Sequence, residues 1–185
     1  MPPKPKTRVM TDLLEEHLEE LAILGMQRQR ALRSPDVTPG QLAELDDRME
    51  AHIQGLLVGG DAGLPLIEDA LSQDDPNDVF AAAYTLLRLN SDAGTKTLIE
   101  SLQQAQGKQL DGIARALNCG PIETVKDALR DSLASAPSPL AVVAAEALAR
   151  FRKLGESTSR LVEFLRDDNP QVRRRAWRVV ALIGN

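Results

Sequence analysis

The chain has 185 residues, 43% of them hydrophobic and only 3% aromatic, with a net charge of −5 and a pI near 5.1. That length can bury a core in one or two domains, and the core must be built from Leu, Ala, Val and Ile, which favours packed helices over a β-sandwich. The acidic total excludes a case for nucleic-acid binding made from overall charge, and the single cysteine, Cys119, excludes an internal disulfide and fits a reducing, cytoplasmic setting.

The charge is unevenly placed. From Arg150 onward there are nine basic and four acidic residues, a surplus of five, which leaves −10 on the preceding chain. An acidic front and a basic end suit an oriented partner or head-to-tail contact; a chance run of solvated charges fits equally well.

The opening "MPPKPKTRVM" is basic but is followed by no apolar signal-peptide core, and no stretch is long and apolar enough to span a membrane. Residues 1–7 are expected to form a flexible tail. A long helix is predicted from about Arg8 to Arg33, with Leu14, Leu18 and Leu21 on one face, acids early and Arg28, Arg30 and Arg33 late. Pro35 and Pro39 break it. Thr38, Pro39 and Gln41 then read as a capping box opening a second helix, with Met49, His52, Ile53 and Leu56 on its apolar stripe and "GGDAG" at its end. The two helices, within residues 8–60, are expected to pair as an antiparallel hairpin.

From residue 64 the chain repeats with a period of 31. Ala83, Ala114, Ala145 and Ala176 keep that spacing, as do Leu86, Leu117, Leu148 and Val179 three places later and Val79, Leu110, Ala141 and Val172 four places earlier. A small residue between aliphatic ones at −4 and +3 is one buried helix stripe. A preceding helix carries Leu71, Leu102, Leu133 and Phe164. A one-residue shift in the last unit aligns Leu161 and Leu165 with Ile67 and Leu71, at the cost of a shorter loop. The turns "SQDDPNDV", "SASAPSPL" and "RDDNPQV" end one helix and start the next, with Asp74–Asp75 and Asp167–Asp168 expected as caps. The second unit is the weakest, because "QQAQGKQLDG" lacks a proline and Gly112 falls inside its helix.

The expected fold is therefore all-α: an N-terminal helical hairpin followed by an α-solenoid of about four helix pairs, near 64–94, 95–121, 122–155 and 157–185. The last unit, "LVEFLRDDNPQVRRRAWRVVALIG", resembles the short bacterial HEAT-like repeat of the PBS-lyase type, including its Asp-x-x-Pro-x-Val-Arg turn. The front, "LLEEHLEELAILGMQRQRALRSPD" and "LAELDDRMEAHIQGLLVGGDAGLPLI", looks like a bacterial family of HEAT-repeat proteins often encoded beside type VI secretion genes. That resemblance implies an accessory, scaffold-like role and carries over no catalytic residue. The family is generally longer than this chain. The last predicted helix has no polar cap after Gly184, so a continuing solenoid, a covering surface or self-association through this end is expected.

Few residues point to chemistry. His17 and His52 can face each other across the hairpin but have no third ligand at metal spacing, and neither precedes a glutamate as in iron-binding HEAT-like enzymes. Cys119 has no neighbouring base, and "GGDAG" lacks the Lys-Ser/Thr of a P-loop. No cofactor and no catalytic set is expected. One column stands out: the residue after each repeat alanine is Tyr84, Arg115, Glu146 and Trp177. With Arg173, Arg174 and Arg178 it is the candidate partner-binding surface, since Tyr, Trp and Arg are frequent interface anchors. Large residues packing between repeats account for it equally well. The expected function is a protein-interaction scaffold, with a DNA-glycosylase-like nucleic-acid grip by the C-terminal arginines as the alternative.

Overall fold

The computed structural model describes residues 10–155 and 159–184, so the expected tail at residues 1–7 lies outside the described residues. Among the described residues the chain is all-helical, with no strand. The first helix, α1 (Thr11–Ala31), buries Leu14, Leu18, Leu21 and Leu24. The second, α2 (Pro39–Gly59), opens with the expected capping box: Thr38 Oγ1 accepts from the Gln41 amide at 3.3 Å, and Gln41 Oε1 accepts from the Thr38 amide at 2.9 Å. It buries Met49, Ile53 and Leu56, and a 3-10 turn at Gly60–Gly63 follows it.

The remaining helices are α3 (Leu64–Leu71), α4 (Pro76–Leu89), α5 (Asp92–Gln104), α6 (Gly107–Leu117), α7 (Lys126–Ser135), α8 (Ser138–Arg150), α9 (Leu161–Leu165) and α10 (Pro170–Ile183). Proline stands in the first turn of α3, α4, α8 and α10, where its missing N–H would find no helical partner anyway. Asp75 caps α4 by accepting from the Asn77 amide at 2.7 Å. The cap of α10 differs from expectation. Asn169, not an aspartate, accepts from the Gln171 amide at 2.9 Å, while Asp167 accepts from the Asn169 amide one step earlier at 2.8 Å.

The 31-residue columns are the core. The alanine column and its aliphatic partners at −4 and +3 are all buried, as are Leu71, Leu102, Leu133 and Phe164. The one-residue shift expected in the last unit is not what the core uses: Leu161 and Leu165 of the five-residue α9 are only partly buried, whereas Phe164, at the unshifted spacing, is fully buried. Helix α1 packs on α2 and α4, α4 on α6, α6 on α8 and α8 on α10. Helices α3, α7 and α9 each pack on the helix that follows.

The weak second unit has a specific construction. Only Ala105 and Gln106 separate α5 from α6, and Gly107 takes a left-handed φ of +50° to make the reversal. Gly112 then lies where α6 meets the start of α4. A Cβ there would stand 2.7 Å from Val79 Cβ and 2.8 Å from the Pro76 carbonyl oxygen. The glycine that weakens the helix signal is what lets the two backbones approach.

Between α2 and α4, Arg88 donates from both Nη atoms to the two oxygens of Glu50, each at 2.7 Å. This fork and Gln54 hold the Glu50 carboxyl well below its ordinary range, at about 2. His17 and His52 do face each other across α1 and α2, Nδ1 to Nδ1 at 3.1 Å, in an edge-to-face arrangement. One ring donates and the other accepts, and no third candidate ligand joins them among the described residues.

Candidate functional site

A recess of about 600 Å³ opens where the C-terminal half of α1 faces α4, α6, α8 and α10. Its character follows from which side chains those helices turn inward. Helix α1 and the turn after it supply Arg28 and Arg33; α6 supplies Arg115 and Asp111; α8 supplies Glu146 and Arg150; α10 supplies Arg174, Arg175 and Arg178. Phe80, Leu32 and Leu182 give it an apolar wall. Seven arginines and two acidic residues thus line one concavity.

Both carboxylates are already engaged. Arg175, 8% exposed, donates to Glu146 Oε2 and to Asp111 Oδ1, each at 2.6 Å. Glu146, 6% exposed, also accepts from Arg178 at 3.4 Å. Arg28 pairs outside the recess wall with Asp46 at 2.5 Å, and this bond raises its pKa further. Arg115 has only neutral acceptors: it donates to Asn77 Oδ1 at 2.9 Å and lies 4.8 Å above the Phe80 ring. Its Nη2 is sealed from solvent with no hydrogen-bond partner. Desolvation pulls its pKa below the ordinary arginine value, and the nearby Arg33 adds to that pull.

Cys119 lines the same recess and is exposed. Partial desolvation pushes its thiol up despite Arg28, Arg115 and Arg150 nearby, which works against thiolate chemistry. A second recess of about 390 Å³ adjoins the first, sharing Arg28, Asn118, Cys119 and Arg150 with it and adding Tyr84. Tyr84 stacks on Phe80 with ring centroids 5.7 Å apart.

The sequence candidates separate into two groups. Arg115, Glu146, Arg174 and Arg178 converge on the main recess, and Tyr84 on its neighbour. Trp177 and Arg173 do not. Trp177 is 63% exposed and lines neither recess. Arg173 donates to the Asp167 and Asp168 carbonyls at 2.7 and 2.8 Å, bracing the turn between α9 and α10. Within that column Glu146 is buried while Trp177 is exposed.

The physical reason is a change of phase in the last helix. In α4, α6 and α8 the recess side falls three places before the repeat alanine (Phe80, Asp111) or one after it (Arg115, Glu146). In α10 it falls two before and two after, at Arg174 and Arg178. One residue is about 100° of helix rotation. Trp177 and Arg173 are carried out of the recess and their neighbours take their places.

Sequence reasoning passed over Arg28, Arg33 and Asp111 as site residues, and counted Arg150 and Arg175 only within the C-terminal basic cluster of the nucleic-acid alternative. Arg150 had a signal: it lies four residues after Glu146 on the same helix face, and in the 31-residue register it aligns with Cys119.

No family model matches the chain, no curated protein matches it, and no solved structure matches it.

Proposed function

We propose that the chain is a helical-repeat interaction scaffold, a HEAT-like solenoid preceded by a helical hairpin, that holds a protein partner through an anionic segment seated in the arginine-lined recess. The observation that carries this is the convergence of seven arginines, from α1 and the turn after it and from α6, α8 and α10, on one concavity whose two carboxylates are both occupied. Concave sites of one charge focus the field and draw in opposite charge. The solenoid reading is supported by the buried 31-residue columns and by the successive contacts from α4 through α6 and α8 to α10. An accessory role beside type VI secretion rests on the resemblance of the front half alone.

A nucleic-acid-binding solenoid is the second reading, and the same arginines favour it. Phosphate tracking along a duplex calls for cations spaced along an extended groove. Here they are gathered in one recess, on a chain whose front half is acidic.

Chemical cross-linking of the immobilised chain to proteins of its source cell, followed by mass spectrometry, tests the scaffold. The expected result is a partner whose cross-links surround the recess and whose retention is lost in Arg174→Glu/Arg178→Glu. Retention unchanged in that variant, or retention of nucleic acid released by salt, overturns it.

A further inference from the structure

We infer that the recess is a binding site for a phosphoryl group, with Arg33, Arg150 and Arg174 as its clamps and Arg115 as the charge beneath them. This rests on the reading of the recess as the interaction surface and specifies what enters it.

The charge count comes first. Of the seven arginines, Arg28, Arg175 and Arg178 have carboxylate partners. The side chains of Arg33, Arg150 and Arg174 make no hydrogen bond or ion pair among the described residues, and the Arg115 side chain donates only to neutral acceptors. Four arginines with no ion-pair partner, from the turn after α1 and from α6, α8 and α10, line one space. Nothing in the packing of the core requires this. A side-chain carboxylate entering the recess would bring one negative charge. A phosphoryl group brings about two, with three acceptor oxygens on one atom. Planar guanidinium forks match that geometry with paired hydrogen bonds.

Arg115 supplies the second line of argument. Its sealed, unpartnered Nη2 and its place over the Phe80 ring leave a desolvated cation at the base of the site. A doubly charged anion above it supplies the missing counter-charge in a setting where water screens poorly. The volume, about 600 Å³, exceeds what a bare phosphate fills and lies within the ~300–1,000 Å³ typical of ligand sites. Phe80, Leu32 and Leu182 offer an apolar wall to whatever the phosphoryl group is attached to. That carrier is either a free phosphorylated small molecule or a phosphorylated side chain of the partner.

Isothermal titration calorimetry on the full chain distinguishes these sources. The probes are pyrophosphate, ATP, a glycine-flanked phosphoserine peptide, citrate as a polycarboxylate control, hexaglutamate and a short DNA duplex. The expected result is one site for a phosphoryl probe, with citrate about tenfold weaker or worse, because charge-assisted forks to one phosphorus centre are lost. Arg150→Ala and Arg174→Ala each weaken binding by about tenfold. Arg150→Lys and Arg174→Lys, which keep the charge and lose the fork, fall between, and Arg130→Ala on α7 changes nothing. Binding of ATP or pyrophosphate without the peptide assigns a free ligand; binding of the peptide assigns the partner's modified side chain. No heat with any phosphoryl probe, equal affinity for citrate, preference for the duplex, or indifference to the arginine variants overturns the proposal. If hexaglutamate binds in an Arg174-dependent way while every phosphoryl probe fails, this proposal falls and the scaffold reading stands.

Discussion

Glu146 shows how one buried residue can serve both core and site. Its carboxylate sits beneath the recess with Arg175 on one oxygen at 2.6 Å and Arg178 on the other at 3.4 Å. Arg175 is the more dependent partner, because its second carboxylate, Asp111, is half exposed. Removing one member of a buried ion pair leaves the other desolvated and uncompensated, at a cost of about 3–5 kcal/mol. Asp111 still offsets part of that here, so Glu146→Ala is expected to cost about 3 kcal/mol in urea unfolding. Adding Arg175→Met to that variant removes the stranded cation and is expected to restore much of the loss. A single-variant cost below about 1 kcal/mol, the range of surface ion pairs, would show that water screens the pair. The same pairing keeps Glu146 from neutralising Arg33, Arg150 and Arg174, so the core network leaves the cations of the recess available.

At the scale of the helix, Gly112 decides how closely α6 approaches α4. Glycine in a helix interior costs about 1 kcal/mol relative to alanine, so Gly112→Ala would stabilise α6 if nothing opposed it. The neighbours oppose it: a Cβ would lie 2.8 Å from the Pro76 carbonyl, a backbone atom that cannot rotate away. Overpacking of this kind costs about 1–3 kcal/mol, so after the helix gain a net loss of up to about 2 kcal/mol is expected in thermal melts. A variant more stable than wild type would mean that α6 shifts along α4 to make room for the methyl group. The helices, the caps of α2 and α4 and the buried columns were legible in the sequence because a stripe such as Leu110, Ala114 and Leu117 is a local spacing repeated three more times. The recess was legible only in part. Arg115 and Glu146 stand in a visible column, but Arg28 and Arg33 join them from α1, far away in the chain, and no local pattern announces that meeting. The phase change in α10 is hidden as well, since Val172, Ala176 and Val179 keep their core register while the recess side moves on to Arg174 and Arg178.

Across the whole molecule, the recess sets binding against stability. The charge asymmetry read from the sequence becomes a spatial one: an acidic front half, with the arginines of α8 and α10 turned toward those at the end of α1. Guanidiniums facing one another without counter-charges repel, and the folded chain carries that cost when empty. Arg174 is the clearest case. Its side chain makes no ion pair or hydrogen bond among the described residues, and Arg175 and Arg178 line the same recess. Arg174→Gln is therefore expected to raise stability, by about 0.5 kcal/mol at low ionic strength, the scale of single surface charges. The gain should shrink as salt rises, because the screening length falls from about 30 Å at 0.01 M to about 3 Å at 1 M. Thermal melts of wild type and variant at those two ionic strengths measure it. A variant less stable than wild type at low salt would mean that Arg174 has a stabilising partner in solution and is not a charge held in reserve for a ligand. A variant more stable yet weaker in binding is the pattern of a residue kept for function, since substitutions that relieve such a site gain stability at the expense of activity.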